Sequence, residues 1–100
     1  MFKLNKNGTD LEITIQETGI DYIHELEVSD YQVSAQQVDM KVSGDIDGEE
    51  FEGETARMFH SNDTVVIEII EGEIEGARFE ADMTLQAWFQ LMQTLTTLTA

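Results

Sequence analysis

The stretch from Gly44 to Asp82, GDIDGEEFEGETARMFHSNDTVVIEIIEGEIEGARFEAD, alternates acidic with apolar residues and constrains the chain more than any other feature. A period of two sends successive side chains to opposite faces of a β-strand, one face buried and the other in water. On this reading Glu50, Glu52 and Glu54 share one strand face, and Glu73 and Glu75 share another. The only basic side chains in the stretch are Arg57 and Arg78, each placed to neutralise glutamates across strands. The expected product is a sheet that presents a dense carboxylate surface.

The same period runs through the first half of the chain. Phe2 and Leu4 alternate with Lys3 and Asn5, and Leu11, Ile13 and Ile15 alternate with Glu12, Thr14 and Gln16. Asn7-Gly8 between them is a hairpin signal, because both central positions of a type I′ turn need φ > 0. Thr18-Gly19 marks the next turn. From Ile20 to Val28 the phase is mixed. Leu26 and Val28 alternate with Glu25 and Glu27, but Tyr22-Ile23 puts apolar side chains on both faces. A strand is the reading adopted, with a short helix as the alternative. Ser29-Asp30 reads as a break, Tyr31 and Val33 as a short extended piece, and Ser34 to Gln37 as a loop.

Val38, Met40, Val42 and Ile46 form the next strand, and Asp47-Gly48 is a second type I′ signal. The chain returns from about Glu49 to His60 and is closed by Ser61-Asn62-Asp63. Val65 to Ile70 is apolar on both faces at several positions, which suits a central strand. Glu71-Gly72 then turns the chain into a last strand from Glu73 to Ala81. Gly53 and Gly76, inside these strands, read as bulges that curl the sheet. The segments IDGEEFEGETARMF and IEGEIEGARF echo one another, but two copies make a pair of hairpins rather than a solenoid.

After Thr84 the period changes. Leu85, Trp88, Phe89, Leu91, Met92, Leu95 and Leu98 fit helical spacing, with Thr84 as N-cap and Met83 and Trp88 as a hydrophobic staple. Leu85, Trp88, Met92 and Leu95 should lie on the sheet, flanked by Phe89 and Leu91. The polar face, Gln86, Gln90, Gln93, Thr94 and Thr97, carries no charge, so a homodimer through the C-terminal helix is a further expectation. The fold class expected is α+β: an antiparallel meander of about five to seven strands, curled, covered by one C-terminal amphipathic helix. We expect a single domain over residues 1–100, with sheet to residue 82 and helix over 84–98.

Charge decides which partners fit. Twenty-one Asp and Glu against five Lys and Arg give a formal net charge of −16 in 100 residues. Forty-one per cent of the residues are hydrophobic and periodically placed, so the composition is that of a folded chain rather than a disordered one. Such a charge repels nucleic acid and anionic membranes, which require Lys and Arg, and favours a basic protein partner. No run of eighteen apolar residues is present, the start lacks a basic-then-apolar leader, and there is no cysteine. A soluble protein of the cytoplasm (the host's, if phage-encoded) is the expectation.

The motifs of chemistry are weak. Ser43, Asp45, Asp47, Gly48 and Glu54 fall on calcium-loop positions, but Ser43 stands where the template has Asp and the flanks read as strands. A plain Asp-Gly hairpin accounts for them. His24 and His60 lack the spacing of a metal pair. There is no GxSxG, P-loop, GxGxxG or cysteine nucleophile, and a solvated row of glutamates lacks the buried, raised-pKa carboxyl that acid–base catalysis needs. The methionines and Trp88 read as core. No enzyme activity, metal or cofactor is therefore expected.

What is left is recognition. Glutamates two apart on a strand stand about 6.6–6.8 Å from each other. Duplex DNA advances about 3.4 Å per phosphate on each strand, a commensurate scale. The reading is a small acidic inhibitor that blocks a basic nucleic-acid-binding surface by charge mimicry, as phage-encoded inhibitors of restriction or CRISPR machinery do. Its candidate contacts are Glu49, Glu50, Phe51, Glu52, Glu54, Glu68, Glu71, Glu73 and Glu75, with Phe51 as apolar anchor. The alternatives are an immunity protein or antitoxin against a basic toxin, and a non-enzymatic virion or assembly subunit.

Overall fold

The computed structural model describes residues 1–7, 10–34 and 36–99. Seven strands follow in chain order, β1 (Phe2–Asn7), β2 (Asp10–Ile15), β3 (His24–Val33), β4 (Gln37–Ile46), β5 (Glu49–Ser61), β6 (Thr64–Glu71) and β7 (Arg78–Asp82), and then α1 (Leu85–Thr99). They form one antiparallel sheet in the order β1-β2-β3-β4-β5-β6-β7, an uninterrupted meander. The sheet is curled into a half-barrel, so the fold is α+β. Short turns dictate this order, since a two-residue hairpin can only join antiparallel neighbours. Asp47 and Gly48 at φ 52° and 86°, and Asn62 and Asp63 at 53° and 56°, make two such turns. The expected Asn7-Gly8 turn lies outside the described residues.

Residues paired across strands share a face, and the register separates a core face from an outer one. Ile13 opposes Leu26, Val28 opposes Val42, and Met40 opposes Ala56, which opposes Ile69. Val38, Met58, Ile67 and Phe79 form the longest such row. All but Val28 are buried, and each large aliphatic side chain so buried contributes about 1.5–3 kcal/mol. Trp88 and Leu95 of α1 complete the core, with Leu91, Met92 and Leu98 packed against it. Thr84 caps the helix, its Oγ1 accepting the Ala87 N–H at 3.1 Å. Met83 anchors the entry: its N–H reaches the Asp63 carbonyl at 3.0 Å, and its own carbonyl lies 2.6 Å from His60 Nε2. The late threonines satisfy themselves locally, Thr94, Thr96 and Thr97 donating to the carbonyls of Gln90, Met92 and Gln93. Among the described residues no helix is long and apolar enough to cross a membrane.

Four local expectations are corrected. Ser29-Asp30 does not end a strand; Asp30 at φ 48° makes an irregularity within β3, where the register shifts between Ser29 and Gln32. Residues 20–23 precede β3, so Tyr22 and Ile23 never had to obey its alternation. Leu85 does not lie on the sheet, being 51% exposed, because the stripe that packs is Trp88, Leu91, Leu95 and Leu98. Finally, Glu73 to Ala77 is turn rather than strand, and β7 begins only at Arg78. That turn is held from inside: Gly76 N–H donates to the Ile69 carbonyl at 2.8 Å and Ile74 N–H to Glu54 Oε1 at 2.8 Å.

Candidate functional site

The carboxylates sort into two arrangements according to register. On the outer face of β4 to β7, Asp39 opposes Arg57, Arg57 opposes Glu68, and Glu68 opposes Arg78. Acid and base alternate across four strands. Arg78 reaches Glu80 at 3.3 Å and Glu68 at 4.0 Å, the only ion pairs among the described residues. Exposed pairs of this kind are worth little singly, but they offset most of the acid charge on that patch. Arg57 contributes a buried Nε with no hydrogen-bond partner.

Two other pairs on β2 to β5 set like against like. Glu12 lies directly opposite Glu27, and Asp45 directly opposite Glu50. Opposed like charges destabilise a sheet. With Glu25, Glu52, Glu54 and Glu73 these residues line a groove of about 900 Å3. Eight of its thirteen lining residues are Asp or Glu, and none is Lys, Arg or His. The apolar remainder comes from Tyr22, Ile23 and Phe51, and Ser43 and Gly44 complete the lining.

A bulge shapes this groove. Val42 opposes Glu54 and Gly44 opposes Phe51, so β5 carries an extra residue between them. Gly53 supplies it at φ 65°, and its N–H donates to Ser43 Oγ at 3.0 Å. The extra residue shifts the phase, and Glu50, Glu52 and Glu54 therefore do not share a face. Glu50 and Glu52 are exposed, whereas Glu54, at 5% exposure, turns to the core face. Its carboxylate fills the space beside Gly72, where a Cβ would collide with Oε2. Glu54 thus holds the 72–77 turn, and through it Glu73, against the groove.

The other expected contacts divide in the same way. Phe51 is buried and serves as wall rather than exposed anchor. Glu73 lines the groove but sits on a turn, as does Glu75, which does not line it. Glu49 is exposed opposite Ile46, Glu71 is exposed at the end of β6 opposite Thr55, and Glu68 belongs to the alternating row. Reasoning from the 44–82 run missed Glu12, Glu25 and Glu27, although their alternation already pointed them outward.

An aromatic ladder leads from Tyr22 in the groove to buried Phe79. The Tyr22 and His24 rings lie 4.5 Å apart, and the His24 and Phe79 rings 4.7 Å apart, edge to face. Burial pushes the His24 pKa below its ordinary 6.5, and the charge of Asp47 only partly opposes this. The calcium-loop residues are dispersed: Asp45 Oδ1 accepts the Gly48 N–H at 2.9 Å within the hairpin turn, and Glu54 faces inward. Among the described residues no group of three or more His, Asp or Glu is placed to hold a metal ion. No family model, curated protein or solved structure matches the chain.

Proposed function

We propose that this chain is a non-enzymatic docking protein whose acidic groove occupies the basic nucleic-acid-binding surface of a target protein, its carboxylates standing where phosphates would. The observation that carries the reading is the unneutralised opposition of Glu12 to Glu27 and of Asp45 to Glu50, in a groove without one basic side chain. Solubility asks only for net charge somewhere on the surface. It does not ask for like charges set directly opposite one another across strands, which work against folding. A cationic partner turns that repulsion into attraction, with fast, salt-sensitive association.

Capture from lysate on the immobilised chain at low salt, eluted by a salt gradient and identified by mass, names candidate targets. Each is then tested by competition against labelled duplex DNA. The expected result is a basic nucleic-acid-binding protein from which the chain displaces DNA, and which the triple variant Glu27→Lys, Glu50→Lys, Glu52→Lys no longer binds. Retained binding by that variant, or a captured target that binds no nucleic acid, overturns the proposal. In the second case an immunity protein or antitoxin becomes the better reading.

A second reading rests on α1, whose outward face is uncharged and carries Phe89 at 56% exposure. It makes the chain an assembly subunit that associates through the helix. Light scattering over a range of concentrations tests it, a monomer throughout counting against it.

A further inference from the structure

Three residues of the β2–β3 connection stand out as large apolar side chains left in water: Ile20, Tyr22 and Ile23, at 49%, 41% and 47% exposure. Two of them, Tyr22 and Ile23, line the acidic groove. Tyr22 is exposed but supported, because its ring packs on His24, which packs on buried Phe79. A supported aromatic loses little freedom on binding, which is the character of an interface anchor.

From this we infer that the partner surface is amphipathic: an arginine-bearing segment with an apolar side chain that seats on Tyr22 and Ile23 while its guanidinium groups meet the carboxylates around them. Charge complementarity selects this occupant. Glu25, Asp45 and Glu50 share the groove with the apolar pair, so an uncharged apolar partner would bury them unpaired, and an acidic one would be repelled. Arginine fits better than lysine, since its planar fork accepts a carboxylate bidentately and stacks on a tyrosine face. The inference rests on the docking function proposed above and adds to it a component that salt does not screen. Phosphate mimicry alone would need no apolar contact in the groove.

Two synthetic twelve-residue peptides of equal charge distinguish these cases, one built of Arg and Ser, the other of Arg and Leu. Each is labelled and titrated with the chain, and anisotropy is read at several salt concentrations. The Arg/Leu peptide should bind about tenfold more tightly, a margin that persists at high salt. The double variant Tyr22→Ser, Ile23→Ser should erase the margin and leave the salt slope unchanged. Phe89→Ser, on the distant helix, should leave both intact. Equal binding of the two peptides, or a margin that survives the double variant, overturns the apolar anchor and leaves the acidic docking surface standing. Binding of neither peptide at low salt removes both.

Discussion

Across β4 to β7 the outer face reads Asp39, Arg57, Glu68, Arg78, each charge set against its opposite; across β2 to β5 it reads Glu12 against Glu27 and Asp45 against Glu50. Both patches belong to one sheet of a chain with net charge −16. The composition alone cannot distinguish them, since glutamate dominates both. Register does. Two arginines are enough to neutralise the β4–β7 row because they fall opposite its acids. The β2–β5 groove receives none, although its two opposed acid pairs lie on adjacent strands. Charge in this protein is therefore arranged locally, acid set against base in one patch and against acid in the other.

The contrast breaks most readily at Arg57. Replacing it with glutamate sets three acids in succession across β4, β5 and β6, converting the alternating row into a second groove-like patch. We expect a loss of about 1–3 kcal/mol in urea unfolding at low salt, chiefly from the two new repulsions opposite Asp39 and Glu68, since Arg57 itself makes no ion pair among the described residues. Unchanged stability would mean that the alternating row contributes nothing and that the two patches do not differ energetically.

The converse substitution acts with the opposite sign. Glu27→Gln with Glu50→Gln relieves both opposed pairs of the groove and should stabilise the fold by about 0.5–1 kcal/mol at low salt. Glu68→Gln, made in the alternating row, should destabilise it. Both effects should shrink at 1 M salt, where the Debye length is about 3 Å. If all three substitutions stabilise alike, the acidity is a diffuse property of the whole surface and the groove is not special.

Much of this architecture was legible in the residues. The period-two runs, the Asp47-Gly48 turn and the switch to helical spacing after Thr84 are local signals, and local signals dictated the meander and its helix. The alternation of Glu25 and Glu27 with Leu26 and Val28 likewise gave their direction. The site was harder to read because it is made of pairs between strands. Glu12 and Glu27 are fifteen positions apart, and nothing within either strand says that they meet. The bulge at Gly53 hid a second part. One extra residue inverts every side chain beyond it, which is how Glu54 came to hold a turn from inside while Glu52 remained in water. The 72–77 turn escaped for a related reason: its backbone donors are satisfied by Glu54 and by Ile69, and the residues of the segment itself alternate as a strand would.

The smallest effect tests how far the groove's field reaches. His24 follows Tyr22 and Ile23, which line the groove together with eight carboxylates, and carboxylates acting on it would favour its cation. Yet its pKa is lowered, burial outweighing the one opposing charge, that of Asp47. The His24 ring is held between those of Tyr22 and Phe79, at 4.5 and 4.7 Å. The sign of the pH dependence follows: the folded state resists protonating His24, so its contribution is complete above about pH 6.5 and is lost as pH falls through the lower folded value. His24→Phe keeps the ring stack and removes the titration. Thermal midpoints of the two proteins, compared between pH 7.5 and pH 5, should diverge as pH falls, with the wild type losing stability relative to the variant. Carboxylate protonation acts in both proteins and cancels in the difference. A wild type that instead gains on the variant would place His24 within the acidic field.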